Sequence, residues 1–200
     1  MRRPTTFAFL AILFSASALG ATPADPYAAA RAEFRAAYAA VGAVTDEGAA
    51  PSDSETLRSY PLYPYLQAAR LQRRLEDPAA APAIEAFLAE HGDAPVARSL
   101  RRSWLMTLAQ RKAWEPYLAA YREDVDDSVA ARCNWLTARV ALGRTDGLAD
   151  PVTATYLSGK SVPAACDPAF DWLRAQGQLT PALVERRARL ALVAGEAGLA

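Results

Sequence analysis

Tyr60-Pro61-Leu62-Tyr63-Pro64-Tyr65-Leu66 is the stretch on which the reading of the fold turns. Each proline fixes its own φ, removes a backbone donor and disfavours helix at the residue before it, so a helix can begin here but cannot run through. The segment is therefore a helix start loaded with aromatic surface. Two readings of Tyr60, Tyr63 and Tyr65 follow. Either the rings anchor that start in a core with their hydroxyls at the rim, or they present faces to a sugar or a peptide. Composition does not separate the two.

Working outward, the pattern on both sides is helical. Upstream, Asp25-Pro26 reads as an N-cap followed by proline at the first helical position. Tyr27, Ala30, Phe34, Ala37 and Val41 then recur at spacings of three and four before Gly42. Residues 43–59 are small, acidic and loop-like, with Pro51-Ser52-Asp53-Ser54 able to cap a short turn. Downstream, the helix that starts in the tyrosine segment is expected to reach about Leu75. Asp77-Pro78 and Pro82 restart the chain, Ile84, Phe87, Leu88 and His91 share one face, and Gly92 marks a stop. Ala94-Pro95 opens a further helix to about Lys112, and helices are expected at 113–122, 128–142, 147–158, 167–176 and 181–194. No alternating run of β-branched residues is long enough for a strand.

So many short helices, with short connections and no sustained heptad, predict an all-α superhelix or solenoid of stacked antiparallel helix pairs. The triplets Ser103-Trp104-Leu105, Asn134-Trp135-Leu136 and Asp171-Trp172-Leu173 recur at spacings typical of helix-pair repeats. Tryptophans that simply fill a core would give the same pattern. The last expected helix carries Leu183, Val184, Leu190, Leu192 and Val193 with no helix after it, which predicts an exposed apolar face.

At the N-terminus, Arg2 and Arg3 precede an apolar run from Phe7 to Leu19, then Ala18 and Gly20 suit cleavage before Ala21. That is the layout of a secretory signal peptide over residues 1–20, and the run is shorter than the roughly 20 apolar residues of a spanning helix. The mature all-α domain is thus expected over 21–200, exported to the periplasm, with no integral membrane segment. Removing residues 1–20 leaves 20 basic against 22 acidic residues, a near-neutral balance that argues against nucleic acid as a partner. Only Lys112 and Lys160 among the basic residues are lysine, a coding bias toward arginine and alanine. Cys133 and Cys166 are the two cysteines, and an exported pair usually closes; one histidine, His91, is too few to complete a zinc site with them.

The sequence carries few groups arranged for chemistry. Ser158-Gly159-Lys160-Ser161 has the end of a phosphate-binding loop, but Ala154 stands where the first glycine belongs and no strand precedes it, so it reads as a helix-terminating turn. A nucleophilic triad lacks its serine context, and no cofactor motif occurs. Glycoside cleavage needs a carboxylic acid held in a cleft with a raised pKa, whereas Glu33, Asp53, Glu76, Glu90 and Glu123 read as solvated faces or helix caps.

The motifs nevertheless gather into a resemblance. Tyr60–Leu66, Cys133-Asn134, and Leu157-Ser158-Gly159-Lys160-Ser161 followed by Pro163 and Cys166-Asp167 are similar to the N-terminal region of soluble lytic murein transglycosylases. Arg98-Ser99-Leu100 and Trp114, after Arg111-Lys112, fit the same register, and the likeness covers about residues 27–195. It implies a U-shaped superhelix that goes on to form a ring, with a separate lysozyme-like domain at the C-terminus. That domain cleaves peptidoglycan between N-acetylmuramic acid and N-acetylglucosamine without water, leaving a 1,6-anhydro end. The family's glutamate sits in a Glu-Ser motif with a Gly-Leu-Met-Gln segment nearby. Here Glu55 is followed by Thr56, and Met106 lies between Leu105 and Thr107, so no catalytic residue carries over.

The resemblance also maps Cys133 and Cys166 onto a family disulfide and leaves Tyr60, Tyr63 and Tyr65 as candidate contacts for glycan or for a neighbouring domain. The chain accordingly reads as a non-catalytic scaffold, truncated before the remaining superhelix and the catalytic domain, that positions glycan strands for cleavage. Its expected partners are peptidoglycan and that catalytic domain. The contrasting expectation is a stand-alone periplasmic helical-repeat module that binds another protein.

Overall fold

The computed structural model describes residues 25–42, 53–92 and 94–199; the expected signal peptide and the Pro51-Ser52 pair lie outside them. Ten α-helices and two short 3-10 turns form the described chain, and no strand occurs among these residues. In order they are α1 (Ala28–Ala40), α2 (Glu55–Arg58), α3 (Tyr63–Gln72), α4 (Ala81–His91), α5 (Pro95–Gln110), α6 (Trp114–Ala120), α7 (Val129–Ala141), α8 (Ala149–Tyr156), α9 (Asp167–Ala175) and α10 (Pro181–Val193). The 3-10 turns Pro78–Ala80 and Ala164–Cys166 lead into α4 and α9.

Local chemistry sets these limits. Ser54, Ser128 and Thr180 take extended backbone and accept the N–H of Leu57, Ala131 and Leu183 through their hydroxyls, which satisfies one orphan donor at each helix start. At the other end, α9 closes when Gly177 turns left-handed (φ 70°) and the Gln178 N–H donates to the Leu173 carbonyl. This is the six-to-one C-terminal motif that favours glycine. The same bond ends α5, from Ala113 N–H to the Leu108 carbonyl, but there the left-handed position is held by Lys112 (φ 56°), a residue with a Cβ.

Three boundaries differ from expectation, the first being that α3 ends at Gln72 rather than near Leu75. Asp25 does not cap α1 directly. Its carboxylate accepts from the Tyr27 N–H at 3.0 Å and pairs with Arg31 at 2.7 Å, closing a turn that delays the helix to Ala28. Residues 55–58, in the loop-like stretch where a capped short turn is expected, form the single helical turn α2, which the Ser54 hydroxyl caps while also donating to the Glu33 carboxylate across on α1.

The helices stack so that each meets those near it in sequence: α1 on α2 and α3, α3 and α4 on α5, α5 on α6, α6 on α7, then α7 and α8 on α9. Two apolar cores result. The first gathers Ile84 and Phe87 of α4 around Leu100, Trp104 and Leu108 of α5, with Tyr117 of α6. The second gathers Cys133 and Leu136 of α7 with Leu148, Val152 and Leu173. Each fully buried leucine side chain contributes about 1.5–3 kcal/mol by leaving water, so α5 and α7 are the elements on which the stack depends. Helix α7 belongs to both cores, since Ala138 lies in the first and Trp135 packs against each. The Trp-Leu triplets fall on α5, α7 and α9, the second helix of three successive pairs. Helix α10 is different. Ala191 is its buried residue, while Leu192 and Val193 are 61% and 88% exposed.

Candidate functional site

The tyrosine segment divides. Tyr60 is buried, its ring 5.4 Å from Phe34 and 6.0 Å from Tyr27 of the α1 region, so it locks α1 onto the start of α3. Tyr63 donates its hydroxyl to Asp53 at 2.8 Å, and Arg70, two turns on along α3, grips both oxygens of the same carboxylate at 2.6 and 2.9 Å. Tyr65 alone of the three keeps its ring largely in solvent, at 44% exposure. The structure therefore does not bring the three rings together on one open face.

The Asp53 carboxylate is neither the solvated group nor the helix cap that the sequence reading offered. Its side chain is 11% exposed, and the bidentate Arg70 contact and the Tyr63 hydroxyl hold its carboxyl below the usual carboxylate range. Burial, then the hydrogen bond to Asp53 and its charge, push the Tyr63 phenol up. The group ties residue 53 to α3 through both carboxylate oxygens. Glu33 and Glu76 likewise make cross-element bonds, Glu76 to Arg111 at 2.6 Å, rather than standing only in water.

The second half of the chain holds a row of rings. Tyr117 stacks on Tyr121 at 6.2 Å, Tyr121 on Trp135 at 5.9 Å, and the Arg139 guanidinium lies 5.0 Å over Trp135. Trp135 is thus engaged by partners within the protein. Tyr117 is fully buried and donates its hydroxyl to the Ala131 carbonyl at 2.8 Å, and burial raises its pKa far above the ordinary phenol value. Cys133 and Cys166 are joined by a disulfide in the second core, both fully buried, linking α7 to the turn before α9.

One carboxyl that sequence reasoning missed is raised. Asp126 is 9% exposed, lines a hollow of about 230 Å³ with Tyr117, Met106 and Asn134, and burial pushes its pKa up. Nothing in the local sequence Asp124-Val125-Asp126-Asp127 distinguishes it from its neighbours; only the tertiary packing does. It accepts the Arg122 backbone N–H at 2.8 Å, which makes it the clasp of the 122–126 turn. Among the described residues no cluster of His, Cys, Asp and Glu could hold a metal ion, and no helix is long and apolar enough to cross a membrane.

The Ser158–Ser161 turn has a packing reason for its glycine. A Cβ on Gly159 would stand 2.8 Å from the Leu190 carbonyl oxygen and 3.3 Å from Cβ of Ala194, so the absence of a side chain is what lets α10 lie on this turn. Arg187 completes the seat, its guanidinium 4.4 Å over Tyr156 of α8 and 5.6 Å from Phe170 of α9.

Together these features define an all-α superhelical stack of short helix pairs, stapled once by its disulfide. The chain is homologous to a part of the soluble lytic murein transglycosylases. It is 34% identical over 143 residues to the enzyme of that name from Salmonella typhimurium and 33% identical to that of Escherichia coli, matches that cover 72% of this chain and 22% of each relative. Lytic transglycosylase Slt of Pseudomonas aeruginosa, solved as an inactive mutant, superposes with a TM-score of 0.70 at 32% identity, covering 84% of this chain and 27% of that one. The 70-kDa Escherichia coli enzyme gives a TM-score of 0.70 at 27% identity, and the 70-kDa enzyme in complex with bulgecin A gives 0.66 at 28%. The chain thus spans between a fifth and three tenths of the length of the proteins it matches. No protein-family model matches it.

Proposed function

We propose that this chain is the superhelical scaffold region of a periplasmic soluble lytic transglycosylase, exported by residues 1–20, which positions peptidoglycan strands for cleavage by a separate lysozyme-like domain. The observation that carries the reading is the alignment of 143 residues with murein transglycosylases, of whose length it takes up only 22%, together with the structural likeness to them. The chemistry of the described residues agrees with a positioning role. Asp126, the one carboxyl among the described residues with a raised pKa, is committed to a backbone N–H, and no Glu-Ser pair occurs in the sequence. Tyr65, open to solvent at the start of α3, is the tyrosine of its segment best placed to touch glycan.

Two measurements test this. Purified chain incubated with sacculi releases no anhydro-muropeptides, yet co-sediments with them, and Tyr65→Ala weakens that co-sedimentation. Release of anhydro products that is abolished by changing one of the chain's own carboxylates, for example Asp126→Asn, contradicts the scaffold assignment.

A further inference from the structure

Beside α10 lies an open groove, about 490 Å³ in volume, lined by Tyr156, Ser161, Asp167, Phe170, Arg174 and Arg187 among others. Its volume is within the range of small-molecule sites. Its charges are unevenly committed. Arg174 and Asp171 are paired at 2.5 Å, whereas no carboxylate among the described residues forms an ion pair with Arg187, which rests on Tyr156 and Phe170 instead. Those two rings meet edge to face at 5.2 Å and form a rigid floor. A guanidinium laid on such a floor has lost much of its rotamer freedom already, so a planar acceptor can meet its edge at low further entropic cost. Asp167, at the first position of α9, adds an acceptor to the same wall, and Val162 and Leu199 add apolar surface.

We propose that this groove binds a small ligand that presents a carboxylate beside an N–H or O–H donor. The carboxylate lies against Arg187 in a two-point contact, the donor against Asp167, and the body of the ligand along Val162 and Leu199. An acylated peptide C-terminus and an acidic sugar share this chemistry. The site is separate from the tyrosine segment and does not depend on the scaffold role.

The test is an NMR titration of the whole chain with three probes: N-acetyl-alanyl-alanine, its C-terminal amide, and glucuronate. At least one of the two acids shifts the Tyr156, Phe170 and Arg187 resonances to saturation, and which one does so identifies the source. The amide requires a concentration at least about tenfold higher, the loss expected when a charged hydrogen-bond partner is neutralised. Arg187→Gln imposes a loss of the same size on the acid, and Arg187→Lys a smaller one. Equal shifts by acid and amide, or no shift of these residues with any probe, overturn the proposal. Because the acid and amide are compared on the unmodified protein, the result stands even if Arg187→Gln loosens α10.

Discussion

At the residue scale, two aspartates are pulled in opposite directions, and their contributions to stability have opposite pH dependence. Arg70, then the Tyr63 hydroxyl, lower the carboxyl pKa of Asp53 in the fold. Its contribution is therefore present above its ordinary value of 3.8 and is lost as pH falls through the lower, folded value. Burial raises Asp126, so the folded state holds that proton more tightly. Asp126 accordingly favours folding at pH below 3.8 and opposes it once the pH passes the raised value. Denaturant titrations should show Asp53→Asn losing about 1–3 kcal/mol at pH 7, with the difference shrinking as the pH falls below 3.8. Asp126→Asn should be neutral or stabilising at neutral pH, because the amide oxygen still accepts from Arg122. Gly159 provides a second residue-scale expectation. A methyl group there would press on the Leu190 carbonyl oxygen from 2.8 Å, so Gly159→Ala should cost about 1–3 kcal/mol and expose α10 to limited proteolysis first.

At the element scale, the disulfide stands out. It joins α7 to the turn before α9 across 33 residues and so encloses α8 entirely. Replacing Cys133 and Cys166 together by alanine should lower the unfolding free energy by roughly 3–4 kcal/mol, the loop-closure entropy for a span of this length, read as a shift of the denaturation midpoint. Most elements were legible in the sequence because proline, glycine and hydroxyl residues sit at their ends; Thr180-Pro181 and Gly177 bound their helices as the chain predicts. What was not legible depends on partners far along the chain. Tyr60 is buried because Phe34 reaches it, and Asp53 because Arg70 does. Arg187 is like every other arginine of the last helix until Tyr156 and Phe170 are brought beneath it.

At the scale of the whole molecule, the two cores communicate through α7, and Trp135 is the side chain that touches both. In a stack where each element meets only near neighbours, cooperativity is set by such interfaces. Trp135→Ala should therefore do more than lower stability by about 3–5 kcal/mol. It should split one unfolding transition into two, seen as non-coincident fluorescence and circular-dichroism curves, with the disulfide-stapled half surviving longer. A single coincident transition in that variant would show that the halves are coupled elsewhere. The staple also has a mechanical consequence. If the chain is drawn out from its ends, the 33-residue span between the sulfurs cannot lengthen, so the stretched polypeptide comes up short by about 110 Å at roughly 3.3–3.6 Å per residue. Reductant would restore that slack, and the shortfall would mark out α8 as a segment shielded from any tension borne by the rest.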